Sequence, residues 1–286
     1  MNGIDGETTI WHPADIFSDH PQIHPDFALI VLNQPLELRA SFYEIIWQNA
    51  IYHVGADGGA NRVHDLNILP LNRPQHDLGL DTVIGDLDSL RPEVRDIWHS
   101  WGSEIIHDSD QYSTDFTKAT RYLSNFKVSE DAKFTPSTSK TRQARLEKIK
   151  SGPKIKDVLC IGGLGGRVDQ GMSTLHHLYT FQNERSYESG RMFLLSSESV
   201  TFVLKSGRHK IKVRESFPEM SLGKHIGIIP LKEPSVISTE GLEWDVNDWP
   251  TEIGGQISTS NHVREDWVMV ETTKDVLFTI DLQPPN

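Results

Sequence analysis

Residues 81–90 read Asp-Thr-Val-Ile-Gly-Asp-Leu-Asp-Ser-Leu, an apolar run that ends in two closely spaced carboxylates. Thr82-Val83-Ile84 is β-branched and apolar, which predicts a buried strand, and Gly85 allows the backbone to turn where that strand ends. Alternate residues of an extended segment project to the same side, so we expect Asp86 and Asp88 to face one point beyond the strand. Two such carboxylates repel each other, and a hard divalent ion such as Mg²⁺ would relieve the repulsion.

A purely structural interpretation of the same stretch is also open. Asp86 can cap a turn, and Asp88 or Ser89 can cap a helix that begins near Pro92, since proline is common at the first helical position. The functional interpretation gains weight because three more segments of similar composition follow predicted strands elsewhere in the chain.

The first of these segments, residues 57–62, reads Asp-Gly-Gly-Ala-Asn-Arg. It follows a predicted strand over 51–56 and leads into a predicted helix over 60–66. In this layout, backbone N–H groups and a helix N-terminus can face a phosphate or a ribose. A tight strand-to-helix turn without a ligand is the alternative, because Gly-Gly is common at such corners.

The second segment, residues 108–115, reads Asp-Ser-Asp-Gln-Tyr-Ser-Thr-Asp and leads into an amphipathic helix. Ser113 or Thr114 can cap this helix, and Asp115 in the first turn suits the positive end of the helix dipole. Lys118 lies one turn after Thr114 in this helix. Its ammonium group would therefore lie close to the carboxylates at the end of the predicted strands.

The third segment, residues 162–170, reads Gly-Gly-Leu-Gly-Gly-Arg-Val-Asp-Gln and follows a predicted strand over 157–161. Its glycines leave no side chains between a ligand and the backbone, while Arg167, Asp169 and Gln170 supply polar contacts. It is not a Walker loop, because no Gly-Lys-Ser or Gly-Lys-Thr follows, and its register does not fit the dinucleotide fingerprint.

Composition limits the class of protein. The chain has 286 residues, 37% of them apolar, and a formal net charge of −12, which fits two domains and argues against a nucleic-acid partner. No apolar run reaches the length of a membrane span, and acidic residues precede the run 27–32, which excludes a usual secretory signal. The single cysteine, Cys160, is predicted to be a buried hydrophobe in a reducing, cytoplasmic setting.

Two adjacent histidines, His176 and His177, lie in the helix predicted after the third segment. Neighbours on a helix point about 100° apart, so the two rings cannot ligate one metal ion together, and both are predicted to be packing or surface residues.

The predicted fold class is an α/β N-terminal domain with a mostly parallel sheet flanked by helices, followed by an all-β antiparallel sandwich. We expect a loosely ordered leader over 1–25, the α/β domain over 26–190 and the sandwich over 191–286. A tract over 127–156, rich in lysine and arginine, is predicted to be an inserted, solvated loop.

Trp244 in the predicted sandwich has two interpretations. A tryptophan is more often a core residue, but an exposed indole would suit a flat cationic heteroaromatic ligand.

These four strand-end segments, together with Gly241-Leu242-Glu243-Trp244 and Ile257-Ser258-Thr259-Ser260-Asn261, resemble the thiamine pyrophosphokinase family over residues 27–282. The resemblance implies a homodimer with a composite active site, and transfer of pyrophosphate from ATP to thiamine with Mg²⁺ as cofactor. It implies a metal site at Asp86, Asp88 and Asp115. The remaining residues that it implies fall into three sets: catalytic Asp169, Arg167 and Lys118; ATP-binding Asp57, Gly58, Gly59, Asn61, Arg62, Gln111, Thr114, Gly163, Gly165 and Gln170; thiamine-binding Trp244, Ser258, Ser260 and Asn261.

The pattern departs from the family at Tyr112, where an acidic residue often follows the glutamine, so a role for that extra carboxylate is not carried over. Two other functions are open at this point. A strand followed by Asp-x-Asp also resembles metal-dependent phosphatases in which the substrate's phosphate is transferred to the first aspartate, here Asp86. A non-catalytic sensor of nucleotide or thiamine is the third alternative.

Overall fold

A computed structural model describes residues 7–18, 27–125, 155–215 and 217–284. The chain divides into two compact units, residues 25–196 and residues 1–24 with 197–286. Most of the predicted basic insertion at 127–156 lies outside the described residues. No helix in the described ranges is long and apolar enough to cross a bilayer.

The elements follow one another as strands, helices and one 3-10 helix. The strands are β1 Thr9–Trp11, β2 Phe27–Val31, β3 Ala50–Ala56, β4 Thr82–Gly85, β5 Glu104–His107, β6 Asp157–Ile161, β7 Met192–Leu195, β8 Ser199–Leu204, β9 Gly207–Lys212, β10 Ser221–Ile229, β11 Ser235–Glu240, β12 Trp249–Thr251, β13 Ser258–His262, β14 Trp267–Thr272 and β15 Val276–Gln283. The helices are the 3-10 helix Pro13–Phe17, α1 Ala40–Asn49, α2 Gly59–Ile68, α3 Pro92–Ser100, α4 Asp115–Asn125 and α5 Val168–Asn183.

The unit of residues 25–196 is built on a parallel sheet with the strand order β7-β6-β2-β3-β4-β5. Strand β2 is buried along its whole length, as expected for a central strand covered on both faces. The predicted parallel α/β class is therefore confirmed. In a parallel sheet all the carboxyl ends meet at one edge, so the segments that follow β2, β3, β4, β5 and β6 share that edge.

The other unit contains two sheets. One has the order β1-β9-β14-β11-β12, and the other has the order β13-β10-β15-β8 within this unit. The prediction of a β-rich sandwich is confirmed, with one correction: β1 runs parallel to β9, so the first sheet is mixed rather than wholly antiparallel.

Strand β1 and the 3-10 helix also differ from the predicted loosely ordered leader. Trp11 is buried, stacks on Phe202 at 4.6 Å between ring centroids, and donates its indole N–H to His209 Nδ1 at 3.1 Å. Phe17 is buried as well. A strand of three residues is too short to show a periodic pattern, and its order comes from pairing with β9, about 200 residues away in the chain.

Candidate active site

Three carboxylates converge at the carboxyl edge of the parallel sheet. Asp57, Asp86 and Asp115 each offer an oxygen, and these oxygens all lie within 4.8 Å of one another. Asp57 follows β3, Asp86 follows β4 and Asp115 begins α4 after β5. We call these three residues the acidic cluster. The chain brings them together because β3 and β4 are neighbours in register, with Ala56 opposite Ile84.

Lys118 supplies the one cation in direct contact with the cluster among the described residues. Its ammonium Nζ lies 3.2 Å from Asp115 and 3.9 Å from Asp86, and its side chain is almost completely buried. Position 118 is one turn after Asp115 in α4, so both side chains project from the same face of the helix. One ammonium beside three carboxylates leaves the site with excess negative charge.

Asp57 shows most clearly that this charge is incompletely balanced. Its Oδ2 accepts the Ser89 N–H at 3.1 Å, whereas its Oδ1 is buried and has no hydrogen-bond partner among the described residues. Burial, with the nearby charges of Asp115 and Asp86, raises the pKa of Asp57 above its ordinary value. Burial also raises the pKa of Asp115, although Lys118 opposes the shift. An orphan carboxylate oxygen facing two more carboxylates is a donor set that fits a hard divalent cation.

Gly85 makes this convergence possible. A Cβ at this position would lie 2.7 Å from the Asp57 Cβ and 2.9 Å from an Asp115 carboxylate oxygen. Any side chain at Gly85 would therefore push two members of the cluster apart. The prediction assigned this glycine to the turn alone, whereas the structure shows that it also gives the two carboxylates room.

Asp88 lies outside the acidic cluster. An extended chain would direct both carboxylates to one side, but Leu87 has a left-handed φ of 63°, and the Asp88 carboxylate does not join the cluster. Asp88 is exposed, its N–H donates to Asp86 Oδ1 at 3.2 Å, and its own carboxylate accepts the Ser89 hydroxyl at 3.0 Å. The structure thus gathers Asp57 with Asp86 and Asp115, where the sequence predicted Asp88.

Asn61 holds the loop after β4 through its side-chain amide. Its Nδ2 donates to the Ser89 carbonyl at 2.7 Å, and its Oδ1 accepts the Arg91 N–H at 3.1 Å. Arg62 donates to the Asn33 side chain at 2.9 Å. Both residues were predicted to contact ATP, and both make protein contacts that fix the surroundings of the acidic cluster.

The turn before α4 is organised by Asp110. This carboxylate accepts the Tyr112 N–H at 2.9 Å and the Ser113 hydroxyl at 2.6 Å, and these hydrogen bonds lower its pKa. Gln111 is left exposed at the tip of the turn. The Thr114 hydroxyl accepts the Thr117 N–H at 3.2 Å, so Thr114 is the residue that caps α4.

The glycines between β6 and α5 do not all serve a ligand. A Cβ on Gly163 would meet Leu32 at 2.7 Å and Thr174 at 2.9 Å, and one on Gly166 would meet the Gln34 amide at 2.9 Å. Around Gly165, whose φ is 125°, nothing lies within 4 Å of the added Cβ. Of these positions, only Gly165 leaves its backbone open for a ligand to approach.

Arg167, Asp169 and Gln170 are exposed at the start of α5. The Arg167 Nε donates to Asp169 at 3.0 Å, and this ion pair raises the arginine pKa and lowers the aspartate pKa. Within the described ranges neither side chain forms an ion pair with the acidic cluster. The two residues predicted to be catalytic are therefore exposed and paired with each other.

Asn33 and Gln34, directly after β2, are further candidate site residues that the sequence motifs did not predict. Asn33 lies against Gly58 and accepts from Arg62, while Gln34 lies against Gly166. This segment therefore sits between the turn at Asp57 and the glycine-rich loop. The sequence offered one signal for them: two polar residues come immediately after a buried strand. Ligands of open parallel sheets bind where the strands end, so such residues are candidates for a binding site.

The other unit presents the predicted indole. Trp244 is 56% exposed, so the structure places it at the surface and not in the core. The Asn261 side chain bonds both the N–H and the carbonyl of Trp244, at 3.1 and 2.9 Å, and the His262 ring lies 5.1 Å from the indole. Ser258 is half-buried, and Ser260 is exposed with a left-handed φ of 55° beside a register shift between β10 and β13.

Comparison with known proteins agrees with this geometry. Residues 43–188 match the thiamin pyrophosphokinase catalytic domain, and residues 208–277 match the thiamin pyrophosphokinase vitamin B1 binding domain. The chain belongs to the thiamine pyrophosphokinase family. Its enzyme class is accordingly that of the thiamine diphosphokinases, transferases of the kinase type, and the phosphatase and sensor alternatives gain no support.

Relatives of this family cover nearly the whole chain. Thiamine pyrophosphokinase 2 of Arabidopsis thaliana is 35% identical, over 90% of this chain and 86% of its own. The Saccharomyces cerevisiae thiamine pyrophosphokinase is 28% identical, over 92% of this chain and 88% of its own. The solved structure of the thiamin pyrophosphokinase from Candida albicans superposes with a TM-score of 0.74 at 26% identity, covering 96% of this chain and 93% of that one.

Proposed function

We propose that the protein transfers the pyrophosphoryl group of ATP to the hydroxyl of thiamine, giving thiamine diphosphate and AMP. The observation that carries this proposal is the acidic cluster with its buried lysine at the carboxyl edge of a parallel sheet. A polyphosphate is recognised by charge, and transfer within it needs that charge to be oriented and neutralised.

The acidic cluster would hold Mg²⁺, since Asp57, Asp86 and Asp115 present hard oxygen ligands and the Asp57 Oδ1 lacks any other partner in the described part of the chain. When bound there, the ion would neutralise phosphate charge and increase the electrophilicity of the phosphorus under attack. Asp88, exposed beside the cluster, remains a predicted ligand that the conformation at Leu87 turns away.

The chain's own residues would then position and deprotonate the acceptor. Asp115 has a raised pKa and is half-buried, so it is suited to accept the proton of the thiamine hydroxyl as that oxygen attacks the β-phosphorus. Lys118 fixes Asp115 and Asp86 and offsets their charge. Arg167, released from Asp169, would offset the charge of the departing AMP.

Gly165 and Gln170 would form the open side of the ATP site, with Gln111 at its other rim. The exposed Trp244 indole would receive the cationic ring of thiamine through cation–π attraction. Ser258 and Ser260 would contribute hydroxyl contacts, while Asn261 fixes the loop that carries Trp244. We also propose a homodimer with a composite site and a cytoplasmic location, consistent with a single buried cysteine.

One assay separates the candidate functions. Purified protein is incubated with ATP, MgCl₂ and thiamine, and AMP, inorganic phosphate and thiamine diphosphate are quantified. The proposal expects equal amounts of AMP and thiamine diphosphate, with no AMP when thiamine is omitted. A phosphatase would release inorganic phosphate, and a sensor would bind without turnover.

The matched variants are Asp86→Asn in the acidic cluster and Asp96→Asn on the exposed face of α3. Asp86→Asn should lower AMP formation at least about 100-fold while the fold is retained, because a charged metal and phosphate partner is lost. Asp96→Asn should behave like the wild type. Near-normal turnover by Asp86→Asn would refute the metal role of the cluster.

A further inference from the structure

His177 connects two segments of the candidate site. Its Nε2 lies 2.8 Å from the Thr114 hydroxyl, and its ring packs edge-on against Phe116 at 5.0 Å between centroids. Thr114 and Phe116 flank Asp115, whereas His177 belongs to α5, which follows the glycine-rich loop. The contact therefore joins the helix that carries Asp115 and Lys118 to the helix that follows the open glycine.

The hydrogen-bonding capacity of the Thr114 hydroxyl is used within the protein. It accepts the Thr117 N–H at 3.2 Å, and the Thr117 hydroxyl lies 3.0 Å away. A hydroxyl has one proton to donate and two lone pairs. If Thr117 supplies both donors, the Thr114 proton goes to His177 Nε2, and the histidine carries its own proton on Nδ1.

The environment of His177 favours this neutral form. Burial, with the adjacent His176, lowers the pKa of His177 to about 4. An unprotonated Nε2 is therefore available to accept a hydrogen bond at neutral pH. The hydroxyl that caps α4 is thus oriented by a ring on a different helix.

We propose that His177 is a positioning residue, which fixes the first turn of α4 through Thr114 and so places Asp115 and Lys118 in the acidic cluster. It is not a catalytic residue, because its contact with the site passes through the threonine hydroxyl and the Phe116 ring. The proposal rests on the proposed function for its catalytic readout, but its structural readout, Mn²⁺ binding, is independent of turnover.

The test compares three substitutions. His177→Phe keeps an aromatic ring against Phe116 and removes the hydrogen bond. His177→Gln restores a polar group near the position of Nε2. His99→Gln alters an exposed histidine on α3, away from this contact, and serves as the matched control. Circular dichroism and thermal unfolding establish that each variant is folded before activity is compared.

We expect His177→Phe to lower kcat about tenfold and to weaken Mn²⁺ binding to the nucleotide-free protein by a similar factor, with KM for thiamine little changed. His177→Gln should recover most of both losses, and His99→Gln should match the wild type. A residue that matters only for stability would lower the unfolding temperature without this selective loss of kcat and metal binding.

A double-mutant cycle decides whether Thr114 transmits the effect. Thr114→Val and His177→Phe should each lower Mn²⁺ affinity, and the double variant should be no worse than the more impaired single variant. Fully additive losses, or Mn²⁺ affinity unchanged in His177→Phe, would overturn the proposal. If the wild type binds Mn²⁺ but forms no AMP with thiamine, the proposed function fails while the positioning role is still tested.

Discussion

At the scale of single residues, the candidate site combines strained backbone conformations with incompletely balanced charge. Asp57 and Leu87 both adopt left-handed backbone conformations, with φ of 44° and 63°, that non-glycine residues rarely adopt. The Asp57 Oδ1 is buried without a partner in the described residues. Such features persist where the surrounding structure enforces them, and they are concentrated at functional sites.

The charge on Asp57 has a predictable effect on stability. Its folded pKa lies above the unfolded value, so the native state binds the extra proton, and stability falls as pH rises through the folded pKa. Asp57→Asn removes this penalty. We expect the free energy of unfolding at pH 7 to be higher in this variant, and the difference from the wild type to shrink as the pH falls and Asp57 becomes protonated in both the folded and the unfolded state.

Urea unfolding between pH 4 and pH 8, without divalent ions, measures this effect, and AMP formation should be lost in the same variant. The exposed Asp96→Asn serves as the control and should follow the wild-type profile. If Asp57→Asn is destabilising across the whole range, the carboxylate is not under electrostatic strain.

At the scale of elements, the N-terminal strand is the clearest case of order that comes from distant contacts. Strand β1 has only three residues, yet Trp11 is buried against Phe202 and its N–H is satisfied by His209. His209 Nε2 in turn lies 2.7 Å from the Lys205 carbonyl, which requires the proton on Nε2 and leaves Nδ1 to accept from Trp11.

Trp11→Ala should therefore destabilise the sandwich unit by about 3–5 kcal/mol, the usual cost of removing a buried indole. Trp11→Phe should cost less, because it keeps most of the ring contact and loses the hydrogen bond to His209. Ile10→Ala, at an exposed position of the same strand, is the control. Thermal and urea unfolding give the values, and equal effects of Trp11→Ala and Ile10→Ala would contradict the described packing.

Strand β13 carries local strain in the segment predicted to bind thiamine. Ser260 has a left-handed φ beside the register shift, so Ser260→Gly should stabilise the protein, because glycine avoids the roughly 1–2 kcal/mol that a Cβ costs in this conformation. Ser260→Ala keeps the strain and removes the hydroxyl. If that hydroxyl contacts thiamine, both variants should raise KM for thiamine while only the glycine variant gains stability. Unchanged KM in both would remove Ser260 from the proposed thiamine site.

At the scale of the whole molecule, the proposed dimer makes the two sets of site residues separable. Asp86→Asn and Trp244→Ala subunits, each inactive alone, are co-expressed with different tags, and the mixed dimer is purified. If each site combines residues of both chains, one of the two sites in the mixed dimer is intact, and about half of the wild-type activity per dimer should return.

A mixed dimer of Asp86→Asn with Asp115→Asn is the control and should stay inactive, because both changes fall in the same set. Analytical ultracentrifugation of the wild type establishes the oligomeric state. An active monomer, or no recovery in the first mixed dimer, would exclude the composite site.

Local sequence was sufficient for the parallel sheet and for the places where its strands end. Apolar β-branched runs such as 82–84 and 157–161 form strands because their side chains need burial. This preference depends on only a few adjacent residues. The four polar segments that follow them mark the carboxyl edge of the sheet for the same reason. The sequence left Trp244 open between a core position and an exposed indole, and only the structure places it at the surface.

The sequence by itself therefore determined the fold class and the edge at which the site lies. Only the tertiary structure decided that Asp57 and not Asp88 joins Asp86 and Asp115, that Asn61 holds a loop, and that β1 pairs with β9. The physical reason is that the direction of a side chain after a strand depends on single backbone angles, such as φ at Leu87, and on the register of strands distant in the chain.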